Sequence, residues 1–217
     1  MSNKKLTIKE IFASALQNHQ KNNFKIAEEL YKNVLKINSN HFQSIFLLGS
    51  LFAQTNNFHR AKELLDKAII IQPNYADAHN NLGAVLKESG KPKEALVCYQ
   101  KAIQINPDYA VAHFNLGNVL KKLGKFKEAK NSYQKAIQIN PNSTVAYNNI
   151  GDLFSELGEH KKAKSCYEKA IQINPNFINA HWNFHSCASN IDEALTILKK
   201  LYNIDNKFLK AKIMISA

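Results

Sequence analysis

The chain has 217 residues, 45 % of them hydrophobic, and carries a formal net charge of +12 at pH 7. This length suits one large domain or a short array of repeats, and the hydrophobic content is sufficient for a buried core. No stretch approaches the ~20 apolar residues of a membrane span, and the N-terminal MSNKKLTIKEIF has no apolar run of the signal-peptide type, so the sequence argues against a membrane-embedded or secreted protein.

The cysteines and the basic residues indicate the cellular compartment and the kind of partner. Cys98, Cys166 and Cys187 are sparse and lack metal-type spacing, which favours a reducing, cytoplasmic location. Of the 29 basic residues only Arg60 is arginine, and the abundance of Lys, Asn and Ile is typical of a genome rich in A and T. Nucleic-acid surfaces usually employ the bidentate guanidinium of arginine. The charge therefore favours a compositional bias over a nucleic-acid role.

The chain repeats itself with a period of 34 residues. The string KAIQINP occurs at 101–107, 135–141 and 169–175, and a fixed period of this length indicates stacked helical pairs. The frames predict an N-terminal extension, five full repeats, one shortened repeat, and the start of a seventh repeat or a terminal helix. In that order they cover residues 1–7, 8–41, 42–75, 76–109, 110–143, 144–177, 178–208 and 209–217.

Equivalent positions of the repeats, here called columns and counted from the first residue of each frame, hold the same residue types. Columns eight, twenty and twenty-seven hold mostly Gly or Ala, as two closely crossing helices require. Column fifteen is Asn or Gly, which tolerate the left-handed conformation at a helix end. Column thirty-two is proline in four repeats and stops the second helix. Each repeat is predicted to be a helix–turn–helix pair that needs its neighbours to form a core.

The segment from His79 to Pro107, HNNLGAVL…ALVCY…A…P, resembles the tetratricopeptide repeat (TPR) signature W-x2-L-G-x2-Y…A-x3-F…P. The resemblance covers about residues 8 to 208, with His or Tyr in place of the Trp of the signature and Leu or Phe in place of its first Tyr. It implies an all-α, right-handed superhelical solenoid. The strings AHNNLG, AHFNLG and ALVCYQKAIQINP are also similar to the TPR superhelix of O-linked N-acetylglucosamine transferase.

Both ends depart from the pattern. The sixth repeat lacks three residues at its turn and has His185 in place of the usual Gly. Residues 209–217 are in frame as the first third of a seventh repeat, and their apolar IMI makes a poor polar cap, so we expect a longer chain rather than a terminal helix. In the first repeat Ile11, Phe12 and Leu16 are expected either to be exposed, which would allow self-association, or to be covered by residues 1–7.

The family resemblance implies that the first helix of each repeat lines an inner groove. Column six is asparagine in repeats three to six, and these residues match the asparagine ladder of the transferase superhelix one for one. Since an asparagine side chain both donates and accepts, such a row can hold the backbone of an extended peptide; the alternative is that it merely solvates the groove. Columns five and nine add polar groups and apolar anchors. The candidate peptide-binding residues are Asn81, Asn115, Asn149, Asn183, Asn80, Phe114, Asn118, Asn148 and Trp182.

Two other groove ligands are disfavoured. A clamp for chaperone C-terminal carboxylates needs lysine in column five and arginine in column six, and no repeat has either. The groove of repeats three to six is also close to neutral, so phosphate neutralisation along it is disfavoured. Its charged residues are Lys87, Lys121 and Lys122 against Asp77, Glu88, Asp152 and Glu156.

Chemistry on this chain is not predicted. His79, His113 and His181 share column four and are interpreted as flat rings in the usual Trp site, rather than as a pH switch. His181 and His185 lie four residues apart with Cys187 nearby, but no HExxH or CxxC accompanies them. We expect no catalytic residue, no metal and no cofactor.

The predicted function is a noncatalytic scaffold that binds a partner protein or an extended peptide. The alternatives are a substrate-recruiting N-terminal region of a larger enzyme, such as a glycosyltransferase, and binding to nucleic acid or acidic surfaces through outer lysines.

Overall fold

The structure is a computed structural model that describes residues 6–188 and 191–205. The described residues form twelve α-helices and no strand, which confirms the all-α class. The helices are α1 (Ile8–Gln20), α2 (Phe24–Ile37), α3 (Phe42–Gln54), α4 (Phe58–Ile71), α5 (Ala76–Glu88), α6 (Pro92–Ile105), α7 (Ala110–Lys122), α8 (Phe126–Ile139), α9 (Thr144–Glu156), α10 (His160–Ile173), α11 (Ile178–His185) and α12 (Ile191–Ile204).

The chain divides into two compact units, at residues 1–108 and 109–217. In the first unit α1 pairs with α2, α3 with α4 and α5 with α6, and the second helix of a pair also packs on the first helix of the next. The second unit has the same arrangement over α7 to α12. No helix within the described ranges combines the length and the apolar character that crossing a bilayer requires.

Local sequence sets the helix ends. Thr7 and Glu10 form a capping box at α1, in which the Thr7 hydroxyl accepts from the Glu10 amide at 3.2 Å. The turn inside each of the first five repeats contains a left-handed residue in column fifteen, such as Asn22 with φ 60° or Gly90 with φ 76°. The sequence prediction for these turns is confirmed.

The two helices of a repeat are held together by a ring lying over a glycine. A Cβ built on Gly83, Gly117 or Gly151 would lie within 2.7 Å of the ring of Tyr99, Tyr133 or Tyr167, respectively. All three rings are buried. Since real Cβ atoms do not approach neighbours so closely, a side chain at these positions would push the two helices apart. In the second repeat Gly49 instead faces Leu64 and Leu65, at 3.2 Å or more.

The sixth repeat departs from this geometry. His185 stands in the glycine column, and α11 ends there after eight residues, whereas α9 has thirteen. The ring of Trp182 stacks on that of His185, with centroids 5.8 Å apart. The predicted start of a seventh repeat at 209–217 lies outside the described residues.

The apolar side chains of α1 in the first repeat are less exposed than the first of the two expectations from the sequence. Ile11, Phe12 and Leu16 are half-buried rather than exposed. The Phe12 ring packs edge-on against His41, with centroids 5.1 Å apart, and against Tyr31 at 6.1 Å. Neighbouring helices thus bury part of this surface, and residues 1–5, which were expected to help cover it, lie outside the described part of the chain.

We predict that Gly117→Ala lowers the free energy of unfolding by about 1–2 kcal/mol, because the overpacking cost at the Tyr133 ring exceeds the gain in helix propensity. Gly49→Ala is the matched control. Its leucine neighbours lie farther away, at 3.2 Å or more, so the change should cost less than Gly117→Ala does. Urea denaturation followed by circular dichroism measures both variants, and equal effects of the two would contradict the ring-on-glycine explanation.

Candidate peptide-binding face

Polar side chains from three successive first helices lie together in the second unit. Asn115 and Asn118 lie on α7, Asn148, Asn149 and Asp152 on α9, and Asn183 on α11. We call these six residues the asparagine face. Asn148 is buried and the others are half-buried, so the face combines fixed side chains with access from solvent.

Hydrogen bonds join the asparagine face from one repeat to the next. The Asn149 amide nitrogen donates to the Asn118 side-chain oxygen at 2.9 Å. The same oxygen accepts from the Tyr133 hydroxyl at 2.8 Å. One oxygen on α7 therefore links α8 and α9, and the column-six asparagine is a tie between repeats as well as a candidate ligand-binding group.

The next junction repeats this geometry with a carboxylate. The Asn183 amide nitrogen donates to Asp152 Oδ1 at 2.8 Å and to the Asn148 oxygen at 3.1 Å. The Tyr167 hydroxyl donates to the same Asp152 oxygen at 2.8 Å. Asn148 also donates to Asp152 Oδ2 at 3.3 Å. Each junction thus places the column-nine oxygen between a column-six amide and a tyrosine hydroxyl.

Burial sets the electrostatics of the face. It raises the pKa of the Asp152 carboxyl above its ordinary value, against the opposing effects of the Tyr167 hydroxyl and the Lys121 ammonium group. Lys121 is paired with Glu156 at 2.8 Å. Burial also raises the pKa of the Tyr133 hydroxyl, which keeps it a neutral hydrogen-bond donor at neutral pH.

A pocket of about 410 Å³ opens beside the first junction, and its lining includes two lysines and two carboxylates. It is lined by Asn118, Lys121, Lys122, Gly124, Phe126, Tyr133, Asn149, Asp152 and Glu156. The opposite charges balance, so the pocket is polar without a net charge. It has room for a side chain of a bound segment.

The predicted apolar anchors differ in their surroundings. Phe114 is half-buried and packs on the Tyr133 ring, with centroids 6.0 Å apart. Trp182 is half-buried too and stacks on His185. Both rings lie on first helices and keep part of their surface open to solvent.

The first unit contains a smaller version of the face. The Asn81 amide nitrogen donates to the Ser50 hydroxyl at 3.0 Å, across the same interval of 31 residues as between Asn118 and Asn149. The buried Asn80 donates to Asn81 at 3.3 Å. In the second repeat, by contrast, Phe46 occupies column five and packs against Tyr75 with centroids 5.0 Å apart.

The third repeat has no side-chain oxygen in column nine. Ala84 occupies that column in the third repeat. The Tyr99 hydroxyl, equivalent to those of Tyr133 and Tyr167, is buried and is without a hydrogen-bond partner among the residues that the structure describes. The sequence reading named column nine only at Asn118 and did not identify Asp152 as a junction residue. A polar residue 31 positions before Asn81, Asn149 and Asn183 is the signal that would have found it.

The column-four histidines that were interpreted as ring fillers are also tied to the backbone. His79 Nε2 lies 2.9 Å from the Pro73 carbonyl oxygen, and His181 Nε2 lies 2.8 Å from that of Pro175. Both rings are buried. They anchor the first helix to the proline turn before it.

Comparisons with known proteins point to one family. Sequence profiles of the tetratricopeptide repeat match residues 42–75, 64–97, 85–124, 110–143 and 144–177. No protein with a curated description matches the chain.

Solved structures share the fold. MamA is 27 % identical, with a TM-score of 0.68, over 78 % of this chain and 92 % of its own. PilF of Pseudomonas aeruginosa is 20 % identical, with a TM-score of 0.83, over 97 % of each chain. YrrB, described as a TPR protein with an unusual peptide-binding site, is 24 % identical, with a TM-score of 0.65, over 80 % of this chain and 90 % of its own.

We predict that Tyr133→Phe lowers the free energy of unfolding by about 1 kcal/mol, because it removes a bond to the Asn118 oxygen. Tyr99→Phe is the matched control and should be neutral or stabilising, since it removes a hydroxyl that is buried without a partner. Chemical denaturation of both variants checks this. A loss in Tyr99→Phe as large as in Tyr133→Phe would contradict the assignment of the hydroxyl bond.

We predict that Asp152→Asn gains stability relative to the wild type as the pH rises, because the wild-type carboxylate loses its proton in a half-buried site. Because the folded-state pKa of Asp152 is raised, the folded state binds more protons than the unfolded state between the ordinary and the raised value. The contribution of Asp152 to stability therefore falls as pH rises through that window. The stability of the variant minus that of the wild type should fall as the pH is lowered to about 4, near the ordinary pKa of Asp. Thermal unfolding at a series of pH values tests this, and a difference that rises in acid would contradict it.

Proposed function

Because the chain belongs to the tetratricopeptide repeat family, we propose that it is a noncatalytic protein-interaction scaffold whose asparagine face binds an extended peptide segment of a partner protein. The observation that carries the proposal is the row of half-buried amides on α7, α9 and α11, held in fixed orientations by the junction bonds.

The junction bonds leave the amides capacity for a ligand. An asparagine side chain has two N–H donors and two acceptor lone pairs. Asn149 donates one bond, to Asn118, and accepts one, from Asn148 at 3.3 Å. One donor and one acceptor site thus remain for a peptide N–H or C=O. These groups would bind the backbone of a ligand rather than its side chains.

The same bonds reduce the cost of binding. A free asparagine side chain loses rotamer entropy when a ligand immobilises it, and a group that is already held in place loses less. Asn149 and Asn183 are both held by oxygens of the preceding repeat. The face is therefore preorganised.

The charge balance of the face argues for a partner recognised by hydrogen bonds and packing. Lys121 is neutralised by Glu156, and Asp152 accepts bonds from three side chains. Phe114 and Trp182 would provide the apolar contacts that side chains of the ligand need. The description of YrrB supports peptide binding on this fold.

Asn80 and Asn81 extend the proposal to the first unit, where we propose the same kind of backbone contact on a smaller scale. A cytoplasmic location is part of the proposal and rests on the sparse cysteines. The alternative of substrate recruitment for a larger enzyme would use the same face, and the likeness of AHNNLG and AHFNLG to the transferase superhelix favours it.

We predict that Asn149→Ala weakens peptide binding by about tenfold or more, the effect of one hot-spot residue. Peptides selected from a random phage library on the full chain would be synthesised with a fluorophore, and their affinity would be measured by anisotropy. The control is Asn131→Ala, which alters an exposed asparagine on α8. Circular dichroism of each variant establishes that it is folded.

Salt separates this binding mode from an electrostatic one. Since Asp152 is the one charged residue of the face and the pocket beside it is balanced in charge, affinity should change by less than about threefold between roughly 0.05 and 0.5 M salt, whereas phosphate-type contacts would lose orders of magnitude. Selected peptides that bind Asn149→Ala as well as they bind the wild type would overturn the assignment of the face.

A further inference from the structure

A second pocket lies in the first unit, away from the asparagine amides of that unit. Its volume is about 450 Å³, and α2, α3 and α4 contribute its walls. We call it the basic-rimmed pocket. It is lined by Lys32, Leu48, Phe52, Arg60, Glu63, Leu64 and Lys67.

The base of the basic-rimmed pocket is apolar. Leu48 and Phe52 are buried core residues that form its floor, and Leu64 is half-buried. Ile70 lies three residues after Lys67 on the same helix and therefore on the same side of it. Its side chain is 78 % exposed, so apolar surface continues beyond the pocket.

The rim carries positive charge in fixed positions. Arg60, the one arginine of the sequence, lies over the Phe52 ring at 5.6 Å, a cation–π arrangement that orients the guanidinium plane. Lys67 donates to the Ser39 carbonyl oxygen at 2.7 Å, and Lys32 pairs with Glu28. Glu63 is the one acidic residue of the lining and lies 3.7 Å from His59.

Two of the corresponding positions one repeat later have the opposite charge. Asp66 stands at the position of Lys32 and Glu94 at that of Arg60, while Gln104 replaces Ile70. A general lysine bias of the sequence would not place arginine and isoleucine in one repeat and glutamate and glutamine in the next. Lys101 matches Lys67, and in the fifth repeat Lys162 lies over the Phe154 ring at 5.6 Å, as Arg60 does over Phe52. The combination of Lys32, Arg60 and Ile70 is nevertheless particular to this pocket.

We infer that the basic-rimmed pocket binds an acidic amphipathic segment of a partner protein. An apolar side chain of the segment would fill the space above Leu48, Phe52 and Leu64, and a neighbouring carboxylate would bind the Arg60 fork in bidentate fashion. Charge argues against the chain's own last twelve residues as the occupant, since NKFLKAKIMISA has three lysines and no acidic residue. Nucleic acid would leave the apolar floor unfilled.

The test is a selection of random 12-residue peptides on phage against the full chain, with labelled synthetic copies of the enriched peptides for anisotropy. We expect a class in which Asp or Glu flanks Leu, Phe or Trp. Arg60→Glu should weaken this class by about tenfold or more, and Ile70→Gln by severalfold. Both residues are exposed, so the variants should fold, and circular dichroism checks that they do.

The matched control is Lys93→Glu, which makes the same change of charge at an exposed position of α6. It should leave the affinity unchanged. The proposal is overturned if no enriched acidic peptide depends on Arg60, or if Lys93→Glu weakens binding as much as Arg60→Glu does. It is also overturned if Arg60→Glu instead abolishes binding to phosphatidylserine vesicles, or dissociates a homodimer seen by sedimentation, since each assigns the pocket to another occupant.

Discussion

The close contact between a tyrosine ring and a glycine determines the geometry of the third, fourth and fifth helical pairs in this protein. At Gly83, Gly117 and Gly151 the ring occupies the space that a Cβ would take. The distance between two helices of a repeat is therefore set by one side chain lying against one backbone. This contact also fixes where the tyrosine hydroxyl points, which connects core packing to the polar chemistry of the surface.

In the second unit the hydroxyls of Tyr133 and Tyr167 donate to the column-nine oxygen of their own repeats, and the same oxygen accepts a bond from the column-six amide of the following repeat. The asparagine row is consequently part of the framework before any ligand is present. Burying such polar groups is favourable only when they are all paired. The third repeat shows the alternative, where Ala84 leaves the buried Tyr99 hydroxyl without a partner in the described part of the chain.

The 34-residue period was enough to predict the all-α fold, the helical pairs and the left-handed turns, because column identities report steric requirements that act within a few residues. Asn149 and Asn183 were placed in the candidate site through a family likeness rather than through their contacts. The sequence did not reveal Asp152 as a residue that joins two repeats, because that role depends on a hydrogen bond to Asn183, 31 residues later. The end of α11 at His185 was not predicted either. The glycine column indicates that a larger side chain does not fit there, but it does not indicate how the helix responds to one.

Under the proposed function, columns five and nine of the preceding repeat, rather than column six itself, decide what the face presents. Column six is asparagine at both junctions of the second unit, whereas the oxygen that orients it belongs to an amide at Asn118 and to a carboxylate at Asp152. The column-nine oxygen engages one donor in each case. Asn148 in column five accepts a second bond from Asn183, whereas Phe114 in that column has no acceptor to offer Asn149. Two identical asparagines therefore offer a peptide different hydrogen-bonding capacity, and the array can distinguish positions along a ligand backbone without any change in the residues of the ladder itself.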